Sequence, residues 1–290
     1  MTVNCRARTV PFWRGGCRVS GHVSAVTARC QGVRREWSQS SGTRLLRPPR
    51  QASSHQRDAP TNPQESIAMP TFNTPEPITA VLDLPAGRVK FIAVDQSDTT
   101  VEILPADASK SRDVKVAEET TVTYRDGVLQ IAASAKNQYF GPSGSVEATV
   151  QLPTGSRIET TAASVAIRAV GRFGDVTVDS AHGAITLDEV ASAHLTTSAG
   201  DVSIARLGGP AQIRTSKGDI RIAEAVRGMV VLRTDAGEVE VCAAAGVSAS
   251  LDGGTSNGRI RNSLKSTDGA ADHLTVHATT ATGDIIARSL

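Results

Sequence analysis

The chain has 290 residues, with 31 Lys and Arg against 29 Asp and Glu, a formal net charge of +2 and only 3% aromatic residues. No stretch approaches the ~18 apolar residues of a membrane-spanning helix, which excludes an integral helical membrane protein. The near-neutral total also averages two unlike parts, because residues 1–68 hold eleven Arg, no Lys and three acids (Glu36, Asp58, Glu65), whereas the remainder holds 20 basic against 26 acidic residues.

Residues 1–68 are rich in Arg, Ser, Gln and Pro and show no sustained helical or strand period, so disorder is the default expectation. A transit peptide or a basic arm that contacts nucleic-acid phosphates shares this composition. Cys5, Cys17 and Cys30 lack the close pair of a zinc site, so no metal is expected there. Arg with no Lys is also what an out-of-gene frame in GC-rich DNA gives, and Gln64-Glu65-Ser66 is encodable as CAG-GAG-AGC, a ribosome-binding sequence just before Met69. Translation is therefore expected to start at Met69. Arg8, Arg14, Arg18 and Arg29 interrupt every apolar run near Met1, and the segment after Met69 has no basic n-region. A cytoplasmic protein without a signal peptide is the expectation.

Residues 69–150 read as an irregular β segment continuous with a more regular β region over 151–290. Gly87 followed by Val89 and Phe91 marks one turn, and Asp126-Gly127 between alternating apolar runs marks a hairpin. Ser109–Thr120 is charged and reads as a loop or one short helix. A boundary near Gly141–Gly144 is expected to be a hand-over within one sheet.

Residues 151–290 repeat one pattern seven times. Turn positions fall at Ala163, Gly183, Gly200, Gly218, Gly237, Gly258 and Gly283, spaced 20, 17, 18, 19, 21 and 25 residues apart. Three residues before each stands Thr160, Ser180, Thr197, Thr215, Thr234, Thr255 or Thr280. Two residues after each stands Val165, Ile185, Val202, Ile220, Val239, Ile260 or Ile285, and two further on Ile167, Leu187, Ile204, Ile222, Val241, Asn262 or Ala287. A fixed repeat outranks local propensity, and the alternation is the period of a strand with one buried face. Second breaks at Gly171–Gly174, Gly208–Pro210, Arg227–Gly228 and Gly246 complete a coil of two short strands. The fold expected is an all-β solenoid of about seven coils stacked ~4.8 Å apart. Aliphatic ladders lie inside, where each buried Val or Ile contributes roughly 1.5–3 kcal/mol. The last two coils decay at the second apolar position, as an end would.

Several segments resemble the bacterial putative-adhesin family of β-strand-repeat proteins, a domain of unknown function. They are MPTFNTPEPI at 69–78, LDLPAGRV at 82–89, SGSVEATVQLPTGS at 143–156 and the S-x-G-D-[IV] turns at 198–202 and 216–220. The resemblance covers 69–290 and implies a β-solenoid-like fold with an adhesin label and no catalytic residues to carry over. Ala163, Ala184 and Arg259 depart from the usual Gly-Asp turn.

Asp201, Asp219, Glu238 and Asp284 follow turn glycines and should project along one edge, with a gap at Arg259. A calcium file needs six to eight oxygens per ion, and the nine-residue glycine repeat of calcium solenoids is missing. A carboxylate pair for glycoside cleavage would lack aromatic platforms, since Phe173 is the sole Phe, Tyr or Trp in 141–290. The acids are expected to cap turn amides or solvate an edge. Cys242 reads as a buried thiol, and His182 and His194 as solvated. No cofactor is implied. What remains is a non-enzymatic β-repeat scaffold that binds an unidentified protein or itself. A carbohydrate-active β-helix and a nucleic-acid binder acting through the basic tail are the alternatives.

Overall fold

A computed structural model describes residues 70–133, 144–266 and 270–290 of the protein. The expectations for residues 1–68, for Cys5, Cys17 and Cys30 and for a start at Met69 lie outside the described residues, as does most of the segment near Gly141. Among the described residues strand makes up 72% and a single helix accompanies it, so pairing between strands must organise the fold. The described residues fall in one compact unit, Gln64–Leu290.

The N-terminal segment contains β1 (Thr71–Asn73), β2 (Thr79–Val94), β3 (Asp98–Pro105), helix α1 (Ser111–Glu119), β4 (Thr120–Arg125), β5 (Val128–Ala133) and β6 (Val146–Pro153). β2 already follows the repeat rule, burying Val89 and Phe91 after Gly87. Its first half pairs in parallel with β5 and its second half with β6. Antiparallel strands then close this end, β4 on β5 and β3 on β6, with β1 on the far side of β3. The β4–β5 hairpin turns at Asp126 (φ 51°) and Gly127 (φ 77°), the left-handed pair that a two-residue hairpin demands. The charged stretch is a helix, held down by buried Val116 and by Asp113, whose Oδ1 accepts the Ser145 N–H at 3.1 Å.

The repeats follow as β7 (Arg157–His182), β8 (Ile185–Ala199), β9 (Val202–Leu207), β10 (Ala211–Lys217) and β11 (Ile220–Ala225). Next come β12 (Gly228–Ala236), β13 (Val239–Ala243), β14 (Ser248–Asn257), β15 (Ile260–Ser263), β16 (His273–Thr282) and β17 (Ile285–Ser289). All pair in parallel with the equivalent strand of a neighbouring repeat, so like residues stack: Thr197 on Thr215 and Thr215 on Thr234 in one arm, Val202 on Ile220 and Ile220 on Val239 in the other. Inward positions such as Leu195, Ile213, Leu232 and Ile220 are buried, and the residues between them, including Arg214 and Arg221, face outward. β7 runs on through Gly171–Gly174, but Gly171 takes φ 98° and the β7–β8 register shifts there, which marks the second break expected in the sequence.

Three expectations are corrected. The first repeat does not turn at Ala163: Val165 pairs with Gly87, and Ile167 pairs with Ile185. The sequence alignment there is two residues out, because Thr160 pairs with the inner residue Leu82, and it is Ala162, opposite Leu84, that takes the place of the Thr file before the turn at Val165.

The last two repeats do not stack in chain order. β16 lies between β12 and β14, and β17 between β13 and β15, so the repeat 273–289 is inserted and 248–263 forms the end. Side-chain chemistry explains the order. The inserted repeat presents buried Leu274, Val276, Ala278, Ile285 and Ala287. The terminal repeat instead carries Asn262 opposite Ala287, and an amide sandwiched between apolar ladders would cost several kcal/mol. At the end Asn262 is exposed, and its Oδ1 accepts the Leu264 N–H at 3.0 Å. For the same reason Ile260, an inner position in register with buried Ile285, is left uncovered. It is 44% exposed.

Candidate functional site

The turn edge gathers most of the residues singled out in the sequence, and each type has a backbone reason to be there. Successive repeats touch main chain to main chain at the turn. A Cβ on Gly218 (φ 145°) would overlap the carbonyl oxygen of Gly200. The same overlap would arise at Gly200 on Gly183, Gly237 on Gly218, Gly283 on Gly237 and Gly258 on Gly283. Glycine is therefore dictated by contact throughout and, except at Gly258, by a left-handed φ as well.

The Thr file answers the same carbonyls. Thr234 Oγ1 donates to Gly218 O at 3.1 Å, Thr280 to Gly237 O at 3.1 Å, Thr255 to Gly283 O at 3.0 Å and Thr215 to Gly200 O at 3.4 Å. Ser180 bonds within its own turn, to His182 O at 3.0 Å. Thr160 and Thr197 are buried without a partner for the hydroxyl. Thr160 stands at the inner position opposite Leu82, two residues before the place of the file, so it has no turn carbonyl to meet.

Insertion of the last repeat sets Asp284 beside Glu238 and leaves Arg259 at the end, so no gap interrupts the acids. Asp201, Asp219, Glu238 and Asp284 form one uninterrupted run. Asp201 Oδ1 accepts the Asp219 N–H, Asp219 Oδ1 accepts the Glu238 N–H and Asp284 Oδ1 accepts the Arg259 N–H, each at 2.9 Å. Each aspartate satisfies an amide that the tight turn leaves without a strand partner. Arg221 and Arg261 neutralise the same carboxylates, at 3.4 Å from Asp219 and 3.8 Å from Asp284. The opposite edge repeats the device in Asp188, passed over in the sequence, whose Oδ2 accepts the Gly171 N–H at 3.2 Å.

Elsewhere the chemistry is sparse. Cys242 is a buried free thiol that accepts from Arg288 Nε at 3.0 Å. His182 and His194 are exposed. No group of three or more metal-ligating side chains occurs among the described residues. An open cleft of about 510 Å³ near the second turns is lined by Arg172, Phe173, Asp175, Glu189, Ser192 and Arg227. Inside it Asp175 accepts from Ser192 Oγ at 2.6 Å and from Arg157 at 2.7 Å. The Ser192 hydroxyl first, and then Arg157, hold its carboxyl below the usual value, which makes it a poor proton acceptor.

The Toastrack DUF4097 family matches residues 89–288. The chain belongs to this family. Among solved structures, it is similar to a "putative cell adhesion protein" from Clostridium sporogenes, with 10% identity over 77% of this chain and 99% of that one and a TM-score of 0.36. It is also similar to a "putative adhesin" from Bacteroides fragilis, with 11% identity, 76% and 95% coverage and a TM-score of 0.37. A "putative lipid binding protein" from Parabacteroides distasonis gives 10% identity, 75% and 96% coverage and a TM-score of 0.39. Comparison with curated proteins found no match. The Toastrack DUF4097 match runs from the second half of β2 into β17 and contains the Thr and Asp files and the turn glycines from Gly183 onward.

Proposed function

We propose that this Toastrack DUF4097 protein is a non-enzymatic interaction scaffold, a β-solenoid of stacked two-strand coils whose regular faces and ends bind a macromolecular partner. The observation that carries the reading is the bonding of the acidic edge. Asp201, Asp219 and Asp284 each commit an oxygen to a turn amide at 2.9 Å, and two of them face an arginine as well. A carboxylate held in this way has little freedom to transfer a proton or to complete a cation's shell. The adhesin and lipid-binding names belong to other proteins, and they agree with a binding role without supplying its partner. No helix among the described residues is long and apolar enough to cross a membrane. Cytoplasmic residence belongs to the same proposal, and fractionation of the native host tests it.

The deciding experiment is a turnover screen of the purified chain against polysaccharides, esters and phosphoesters. No turnover is expected. Hydrolysis that disappears in Asp201→Asn or Asp219→Asn overturns the scaffold reading and promotes the carbohydrate-active one.

A further inference from the structure

We propose that the repeat 248–263 docks on the same repeat of a second copy of this chain, forming a two-fold, end-to-end dimer in which edge strands pair antiparallel. β14 and β15 each pair on one side only, with β16 and β17. Across the opposite edge, Ala249 N–H donates to Lys265 O at 3.0 Å, but no other strand covers the row among the described residues. Inner-stack side chains are uncovered there too: Ile260 is 44% exposed and Leu251 is half-buried. An open strand edge that is also apolar is a template for another strand.

The occupant follows from the other end of the molecule and from area. Continuing the ladder head to tail would require a free parallel edge at the N-terminal end. There antiparallel β3 and β4 take the place of the next rung, with α1 packed beside them and Phe72 meeting Tyr124 at 5.6 Å, so no parallel edge is offered. A parallel head-to-tail continuation is thus ruled out, and an isologous contact, each copy using the same surface, is the closed alternative. The ten residues of β14 span roughly 33 Å and the arms lie roughly 10 Å apart. With side chains included, each end presents on the order of 600 Å², so a pair buries about 1,200 Å², the lower limit for a specific interface. The inference stands apart from the turnover question, because a dimer could form whether or not the chain were an enzyme.

Sedimentation equilibrium of the full chain, with a reductant present so that thiols do not cross-link, tests it. The expected result is a monomer–dimer equilibrium in the micromolar range that Ile260→Glu weakens by about tenfold or more, while Arg125→Glu at the closed end leaves it unchanged. Ile260 is partly exposed in the single copy, so the variant should fold, and an unchanged circular dichroism spectrum confirms that it has. A chain monomeric throughout the range overturns the proposal and leaves the end to a partner of different sequence. Open-ended polymers, or a dimer indifferent to Ile260→Glu, overturn it as well.

Discussion

At the N-terminal end of the ladder, three short antiparallel strands and a helix cover the inner stack, and Leu129, Ile131, Val146 and Val101 are fully buried. At the other end the stack simply stops, with all four residues of β15 exposed. Between these ends every repeat is covered on both sides. The contrast teaches that a Thr-Gly turn with flanking apolar residues specifies a rung, whereas its neighbours decide how much that rung contributes. The terminal repeat keeps the Thr255–Gly258 turn and its 3.0 Å bond to Gly283, yet Ile260 gains little burial from it.

The sharpest way to break this comparison is to place a charge at equivalent inner positions. Ile220→Asp, where the native side chain is fully buried, should cost roughly 4 kcal/mol or more, whereas Ile260→Asp should cost under about 1 kcal/mol. Urea midpoints measured at high dilution check this, and equal shifts would mean the end is covered in solution. Replacing Arg221, on the outer face of the same strand, should stay within about 1 kcal/mol despite its contacts with Asp219 and Glu240.

Glycine substitutions come next in size. Gly218→Ala drives a Cβ into the Gly200 carbonyl at a left-handed φ and should lower stability by about 3 kcal/mol. Gly254→Ala in the terminal strand meets nothing within 4 Å and should stay within about 0.5 kcal/mol. Thermal melts of the two variants give the difference directly.

Removing a carboxylate cap is gentler. Asp219→Ala strands the Glu238 amide and should cost about 1 kcal/mol, with Asp219→Asn recovering part because its oxygen still accepts. Asp284→Ala should cost less, since it frees only the exposed amide of Arg259 at the end. Amide exchange at residues 238 and 259 separates the two cases.

The smallest effect is acid sensitivity at Asp175. Its carboxyl is held below the ordinary 3.8 by the Ser192 hydroxyl and then Arg157. A group depressed in the folded state contributes stability above its unfolded value and loses it as the pH falls through its folded value. The acid limb of stability below about pH 4 should therefore flatten slightly in Asp175→Asn, and an identical limb would remove Asp175 as a contributor.

Much of this arrangement is legible in the sequence because a single contact repeats. One carbonyl per turn excludes a Cβ and takes a hydroxyl, so glycine and Thr or Ser mark the turns. Ile and Val at alternate positions follow from the buried face, and the role of the aspartates follows from the amide each turn exposes. Register within the first repeat is less legible, since Thr160 and Ala163 imitate the later spacing while the chain turns at Val165. The order of the last two repeats is hidden for another reason. Parallel stacking uses the same main-chain bonds whichever rung sits inside, and only a few inner side chains distinguish them: Asn262 against Ala287, Ala249 against Leu274 and Gly253 against Ala278. In the antiparallel cover the β4–β5 hairpin shows in Asp126-Gly127 and its alternating flanks, whereas the helix and the β3–β6 pairing have no repeat to mark them, because each occurs once among the described residues and is defined by what it packs on.

The inserted rung also constrains the order in which the ladder can be assembled during synthesis. Residues 248–263 leave the ribosome before 273–289, yet they pair only with strands from the later segment. Until β16 and β17 emerge, the growing ladder ends at β12 and β13. The rung made earlier lacks its final partners until then and tethers β13 to the strands still to come. Completion is then a threading problem as well as a stacking one: the final strands enter between a finished edge and a waiting one, and the Leu290 N–H closes the arrangement on Ala243 O at 3.0 Å.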